Sequence, residues 1–423
     1  LPILKYVKKR EHIVESAPES MGKICAICKG DKLLCGKSEC PILAKYKSLL
    51  RIRSSIKEEI EGSSPPSIFV GRMGYPKVKV GPLAPPFHGD TEIMDSPEEW
   101  ISMDIHEFID MRISLIRGKR QVNIYDIQDP YVESLQEMLL SERHVELEEK
   151  FIKRPGFSIP LGDEIPPYGP SGELKSIKIF PGRTNFRIQK IYDDTDINAS
   201  DALIELYSMG ESLSRIQRAL SAGMLGQWKY RKLVPTRWSI TAVDSTISER
   251  LLQKVKNNET IDKIEIYESR KMENIFIVIL LPYNWSYELV EGWYPGTLWN
   301  PYSQETFIIS DYEFYYGRKD YASIGGCYYS ARLAVAEHLV RRGRQATAIV
   351  LREALPSYIL PVGVWNVREN VRNALNSRPI EFDDENSALN YVFSRFHIPK
   401  EVWIRNSKLL DFMLHQVKFH GLY

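Results

Sequence analysis

The sequence predicts an α+β protein: a zinc-stapled N-terminal module, a mixed first domain, a β-rich second domain and a peptide tail. Three observations predict it. Four of the five cysteines fall within the sixteen residues from Cys25 to Cys40. Between Ile42 and Gly223, helix signatures alternate with short β-rich runs. From Ile264 onward the β content rises, and Asn274–Leu281 is apolar on both faces, as a central buried strand would be. The expected boundaries are 1–62 for the basic zinc module, 63–260, 261–400, and 401–423 for the C-terminal helix and tail.

The N-terminal cysteines carry the strongest chemical signal. Thiolates are soft ligands, and the pair Cys25/Cys28, separated from Cys35 and Cys40 by the turn Lys29-Gly30-Asp31, suits one tetrahedral Zn2+. Two disulfides would need an oxidising compartment, and neither a secretory signal nor another cysteine pair is read here. Four thiolates leave no position for substrate, so the expected role of the zinc is structural. Cys327 lies far away and reads as a small apolar residue.

Globally, 56 basic and 55 acidic residues almost cancel, so net charge names no partner, and no apolar run has membrane length. Locally the balance differs. Residues 1–57 hold 13 Lys/Arg against 5 Asp/Glu, a formal +8 that a Zn2+ with four thiolates would lower by two. Such a patch fits either a phosphate backbone or a solvated charged surface.

After the cysteines, Leu43, Tyr46, Leu49 and Ile56 recur at helical spacing, predicting a basic helix over 42–60 that Gly62-Ser-Ser-Pro-Pro66 breaks. Two β-rich runs then flank Gly71-Arg72-Met-Gly74-Tyr75-Pro76-Lys77. Arg72 and Lys77 can pair with phosphate there, although spacing alone favours a hairpin turn with two surface cations. Ser96-Pro97-Glu98-Glu99 has a helix-start signature, predicting a helix to Gly118 with Arg112, Arg117 and Arg120 near its end. Residues 155–182 read as a long loop or hairpin. Asp193, Asp194, Asp196 and Asp201 either gather a hard cation or, with Asn198, cap a helix bearing Leu203, Leu206, Met209, Leu213, Ile216 and Leu220.

Leu233–Thr246 packs Arg237, Trp238, Asp244 and several hydroxyls together, as a ligand loop or a polar turn feeding a helix. Further on, 306–310 and 312–316 read as short strands, Gly325-Gly326 as the start of a helix ending at Arg341-Arg342-Gly343, and 346–351 as another strand. In 363–372, Trp365, Arg368, Glu369 and Arg372 share one helical face. That face suits an aromatic base or a phosphate, and equally an Arg-Glu surface ladder with a half-buried Trp.

Four blocks taken together, 67–78, 233–244, 325–335 and 363–372, resemble the archaeal Nre family of DNA repair proteins, and the likeness spans almost the whole chain. The resemblance implies a cytoplasmic DNA-damage-response factor that works with the sliding clamp, PCNA, through a C-terminal motif. The tail Gln416-Val-Lys-Phe419-His-Gly-Leu422-Tyr423 follows the clamp-binding pattern at Gln416, Leu422 and Tyr423, with Phe419 in place of the usual aliphatic. The resulting expectation is a repair factor that binds the clamp and holds nucleic acid or a nucleotide with Arg72, Tyr75, Lys77, Arg237, Trp238, Trp365, Arg368 and Arg372. The competing expectation is a nucleotide- or DNA-processing hydrolase using Asp244 or Glu369 as general base. No nucleophile-base pair is recognisable, so the sequence leaves open whether the chain is an enzyme.

Overall fold

The computed structural model describes residues 28, 31–34, 39–157, 167–295, 297, 300 and 305–415. The chain divides into two units: Leu1–Met21, Cys40–Ile247 and Pro361–Trp365 form the first; Gly22–Glu39, Ser248–Leu360 and Asn366–Tyr423 form the second. The class is α+β, with one mixed six-stranded sheet in each unit. Among the described residues no helix is long and apolar enough to cross a membrane.

In the first unit, helix α1 (Pro41–Ile52) follows Cys40 with Pro41 at its start. It stops short of the Ile60 expected from the apolar spacing. Glu59-Ile60-Glu61 alternates with period two, and β1 (Glu59–Ser64) gains a full ladder against β5 (Val145–Phe151), which outweighs the local helical pattern. Gly62 therefore sits inside a strand. The sheet order is β1-β5-β6-β4-β3-β2, where β2 is Ile68–Val70, β3 Lys77–Ala84, β4 Ile116–Asn123 and β6 Ser171–Phe180; all pairs are antiparallel except β4 with β6. Of the loop or hairpin expected over 155–182, the second half is the ten-residue β6, antiparallel to β5, while 158–166 lies outside the described residues.

The helix expected from Ser96 to Gly118 is three pieces instead. Ser96 makes no capping hydrogen bond, and Pro97–Ser102 is a 3-10 turn. Asp104 caps the true helix, α2 (Ile105–Ile113), by accepting from the His106 N–H at 2.8 Å. Arg117 and Arg120 belong to β4. Gly118 ends no helix: a Cβ there would come within 2.5 Å of Glu149 Oε1 and 2.6 Å of Leu174, so glycine permits close strand and side-chain packing.

Helices α3 (Pro130–Leu139), α4 (Phe186–Asp193), α5 (Ala199–Ser208) and α6 (Leu213–Ser221) complete the body of this unit. The helix expected through Leu203 and Leu220 is split into α5 and α6, with Asn198 and Ser212 capping each piece. The predicted apolar face survives the break, because Leu203, Leu206, Leu213, Ile216 and Leu220 are all buried. Block 233–246 is mostly helix rather than loop, since α7 (Thr236–Val255) begins at its fourth residue.

The second sheet runs β10-β9-β11-β8-β7-β12, built from β7 (Ile264–Lys271), β8 (Asn274–Leu281), β9 (Ser286–Trp293), β10 (Phe307–Glu313), β11 (Thr347–Ala354) and β12 (Ile380–Phe382). As its composition predicts, β8 is interior and buried at every residue. The two short strands expected around 306–316 are the single β10. Helix α8 (Gly326–Arg342) ends at Gly343 in the left-handed conformation, with Arg341 and Arg342 in its last turn. Helix α9 spans Trp365–Leu375. One sheet face buries Ile275, Ile277, Ile279 and Leu351 against α10 (Glu385–Ser394), α11 (Lys400–Arg405) and α12 (Lys408–His415). The other meets α8, where the Tyr287 hydroxyl donates to the Tyr328 carbonyl at 3.0 Å.

Candidate functional site

Two of the sequence blocks meet in the first unit. The turn between β2 and β3 closes through Tyr75 N–H to Arg72 O (3.2 Å), Lys77 N–H to Gly74 O (2.9 Å) and Gly71 N–H to Lys79 O (2.9 Å). It is tied to the start of α7 twice: the Val70 N–H donates to Thr236 Oγ1 at 2.9 Å, and the Tyr75 ring packs 5.2 Å from that of Trp238. Arg72, Tyr75, Lys77, Arg237 and Trp238 therefore share one neighbourhood. Lys77 is exposed, Arg72, Tyr75 and Arg237 are half-buried, and Trp238 is enclosed.

Beside this junction lies a cleft of about 70 Å3, lined by Ser67, Phe69, Asp95, Arg112, Tyr168, Arg218, Ser221, Thr236 and Ser239 among others. Asp95 stands in its lining, and its carboxylate accepts from Arg112 Nη1 at 2.8 Å and Arg218 Nη1 at 2.7 Å. Burial by itself raises the Asp95 pKa, but Arg218, Arg112 and the Ser67 hydroxyl outweigh it and hold the carboxyl below its ordinary range. On one wall, the Arg117 guanidinium stands 4.5 Å from the Phe69 ring centre and 4.7 Å from that of Tyr168, and the two rings are 5.2 Å apart. On another, the first turn of α7 contributes the positive end of a twenty-residue helix. Two guanidinium groups, one carboxylate, two aromatic faces and a helix N-terminus thus converge on this cleft.

Two family models match this chain: "Archaeal Nre, N-terminal" over residues 34–300 and "Archaeal Nre, C-terminal" over 313–421. The chain belongs to the archaeal Nre family. It is 42% identical to DNA repair protein NreB of Archaeoglobus fulgidus over 387 residues, 91% of this chain and 96% of the relative. With DNA repair protein NreA of the same organism the identity is 41%, covering 86% of this chain and 92% of the other. With DNA repair protein NreA of Haloferax volcanii it is 37%, covering 75% and 78%. No solved structure gives a significant match.

The remaining residues expected to act are distributed as follows in this Nre protein. Trp365, in the first unit, is 3% exposed; its ring packs against Trp100 at 5.1 Å and Phe108 at 5.5 Å, and its Nε1–H donates to Val362 O at 2.6 Å. Asp244 is buried and accepts from Gln217 Nε2 at 3.1 Å. In the second unit, Arg368 donates to Glu369 Oε1 at 3.0 Å from a position 1% exposed. Arg372 grips Glu337 with two bonds of 2.8 and 2.7 Å and also reaches Glu369 at 3.0 Å. Cys28 is buried, with the Asp31 and Lys32 N–H groups donating to its carbonyl at 3.2 and 3.3 Å, and Cys40 is half-buried at the head of α1. Cys25, Cys35, Gln416, Phe419, Leu422 and Tyr423 lie outside the described residues.

Sequence reasoning missed Asp95, Phe69 and Tyr168 and gave Arg112 and Arg218 no joint role. The available signal was two arginines at i and i+3 (Arg215 and Arg218) on a helix with a strong apolar face, where one was free to turn inward.

Proposed function

We propose that this chain is a DNA repair factor that holds nucleic acid or a nucleotide on its first unit and binds a sliding clamp through its last eight residues. The repair role rests on one observation above the others, the 42% identity with DNA repair protein NreB across 91% of the chain. The ligand half of the reading rests on the cleft at the start of α7 and the cations beside it. A base stacks on Phe69 or Tyr168 while phosphate oxygens meet Arg218 and the helix N-terminus; Arg72, Lys77 and Arg237 extend a backbone track along the neighbouring turn. Trp365, Arg368 and Arg372 then serve the scaffold, given their burial and internal partners. Binding of a short single-stranded oligonucleotide by the full chain tests this reading, and no binding at low salt overturns it.

The clamp half is supported by the pattern of Gln416, Phe419, Leu422 and Tyr423 and by the helix that precedes them. Buried Glu288 accepts from the Ser407 hydroxyl at 2.6 Å and from the Lys408 and Leu409 N–H groups at 2.8 Å each, which fastens the start of α12 to β9. The clamp-like motif therefore follows directly on a helix that is held to the sheet. Removing 416–423 is expected to abolish calorimetric binding to the clamp; unchanged binding removes the tail from the account.

The same reading includes a structural Zn2+ held by Cys25, Cys28, Cys35 and Cys40. It is supported by the donor set and by the tight turn from Cys28 to Lys32 immediately after the first pair. The ion would supply cross-linking, with no open position for substrate. Metal analysis should find one zinc per chain, lost on Cys25→Ser; a folded metal-free protein contradicts this.

A further inference from the structure

The segment after β3 and the residue just before β5 bring three metal-ligating side chains together. Asp90, Glu92 and His144 each offer one ligand atom, and these atoms lie within 4.8 Å of one another. The loop is built into place. The Gly89 N–H donates to Ser63 Oγ at 2.9 Å, and the Thr91 hydroxyl donates to the Ser63 carbonyl at 2.9 Å. Ser63 in turn is the register partner of Glu146, two residues beyond His144. One strand pair therefore fixes both halves of the cluster.

The second observation is the state of His144. Its Nδ1 is buried yet has no hydrogen-bond partner, and Glu92 Oε1 stands 3.9 Å away, too far for a hydrogen bond. The His144 side chain as a whole is 31% exposed, so the buried Nδ1 faces the cluster while the rest of the ring reaches solvent. That separation does fit two ligands of one ion, since bonds of roughly 2.1 Å place their ends about 3 to 4 Å apart. The Glu92 N–H occupies one oxygen of Asp90 at 3.2 Å, leaving the other available. Beside His144 in the chain, Glu146 is engaged by the Ser63 hydroxyl at 2.6 Å and by the His88 ring, so it is held by partners outside the cluster.

We propose that Asp90, Glu92 and His144 bind a divalent first-row transition ion of the Mn2+ or Zn2+ kind. One imidazole and two carboxylates form a donor set that both ions accept, and the exposed side of Asp90 leaves room for water to complete the coordination. This site is separate in sequence and in ligand type from the cysteine cluster, which favours softer ions.

The test uses the full chain and Mn2+ alone, because Mn2+ discriminates against thiolates. Electron paramagnetic resonance should count one saturable Mn2+ per chain. His144→Ala and the double change Asp90→Asn with Glu92→Gln should each weaken binding at least about tenfold, whereas Cys25→Ser leaves it unchanged. Melting curves without metal check that the variants fold, and Asp90→Asn alone, at an exposed position, serves if His144→Ala does not. Absence of saturable Mn2+ binding, or equal binding by the folded variants, overturns the proposal.

Discussion

In the second unit two deeply buried arginines, Arg352 on β11 and Arg332 on α8, meet strand carboxylates at short range: Arg352 lies 2.9 Å from Glu291 and Arg332 lies 2.8 Å from Glu313, all four being nearly inaccessible. Burial lowers the pKa of both arginines, yet their partners more than compensate and raise it. In the first unit Glu149 is equally buried on β5, but neither of its oxygens has a hydrogen-bond partner. Nearby in the same unit, Asp95 serves two arginines at the edge of an open cleft. The contrast separates arginine–carboxylate pairs that balance each other inside the second unit, and so act as scaffold, from a first unit in which Glu149 has no hydrogen-bond partner and Asp95 faces two cations beside a cleft.

Breaking the balanced side should have the largest effect. Glu291→Gln leaves the Arg352 guanidinium buried without its counter-charge, and a loss of about 3–5 kcal/mol in denaturant unfolding is expected. A loss below about 1 kcal/mol would remove the contrast between the two units.

The unbalanced side should respond in the opposite sense. Burial pushes the Glu149 carboxyl up to about 8. Between an ordinary carboxyl pKa and 8 the folded state therefore holds a proton that the unfolded state has released. Stability from this group is full in acid and falls as pH rises through that window, at up to about 1.4 kcal/mol per pH unit. Glu149→Gln, which cannot ionise, should stabilise the protein at pH 8 and change it little at pH 4.5. Melting temperatures across pH check this, and a variant no more stable than wild type at pH 8 would show that Glu149 is not strained.

These contrasts explain what the sequence made legible. The α+β class, interior β8 and helix α8 were readable because each is set by local chemistry: an all-apolar run, or terminal cations followed by Gly343. The helices expected over 42–60 and 96–118 were cut short because Ile60 and Gly118 belong to strand ladders whose partners, Glu149 and Gly172 respectively, are distant in the chain. The hairpin carrying Arg72 and Lys77 was readable from its turn residues. The cleft was not, because Asp95 meets Arg112 and Arg218 from 17 and 123 positions away, and no period or motif encodes that meeting. The same holds for His144, brought to Asp90 and Glu92 by the register of β1 on β5.

The smallest effect per residue, and the most direct for the central claim, lies at the exposed turn beside the cleft. Fluorescence anisotropy of a short single-stranded DNA on the full chain, followed across salt concentration, should be compared between wild type and the combined variant Arg72→Ala, Lys77→Ala, Arg237→Ala. If these cations track a phosphate backbone, the variant binds more weakly at low salt and the slope of log K against log salt shrinks by about 2. Equal affinity and equal slope for the two proteins would contradict a nucleic-acid surface on the first unit.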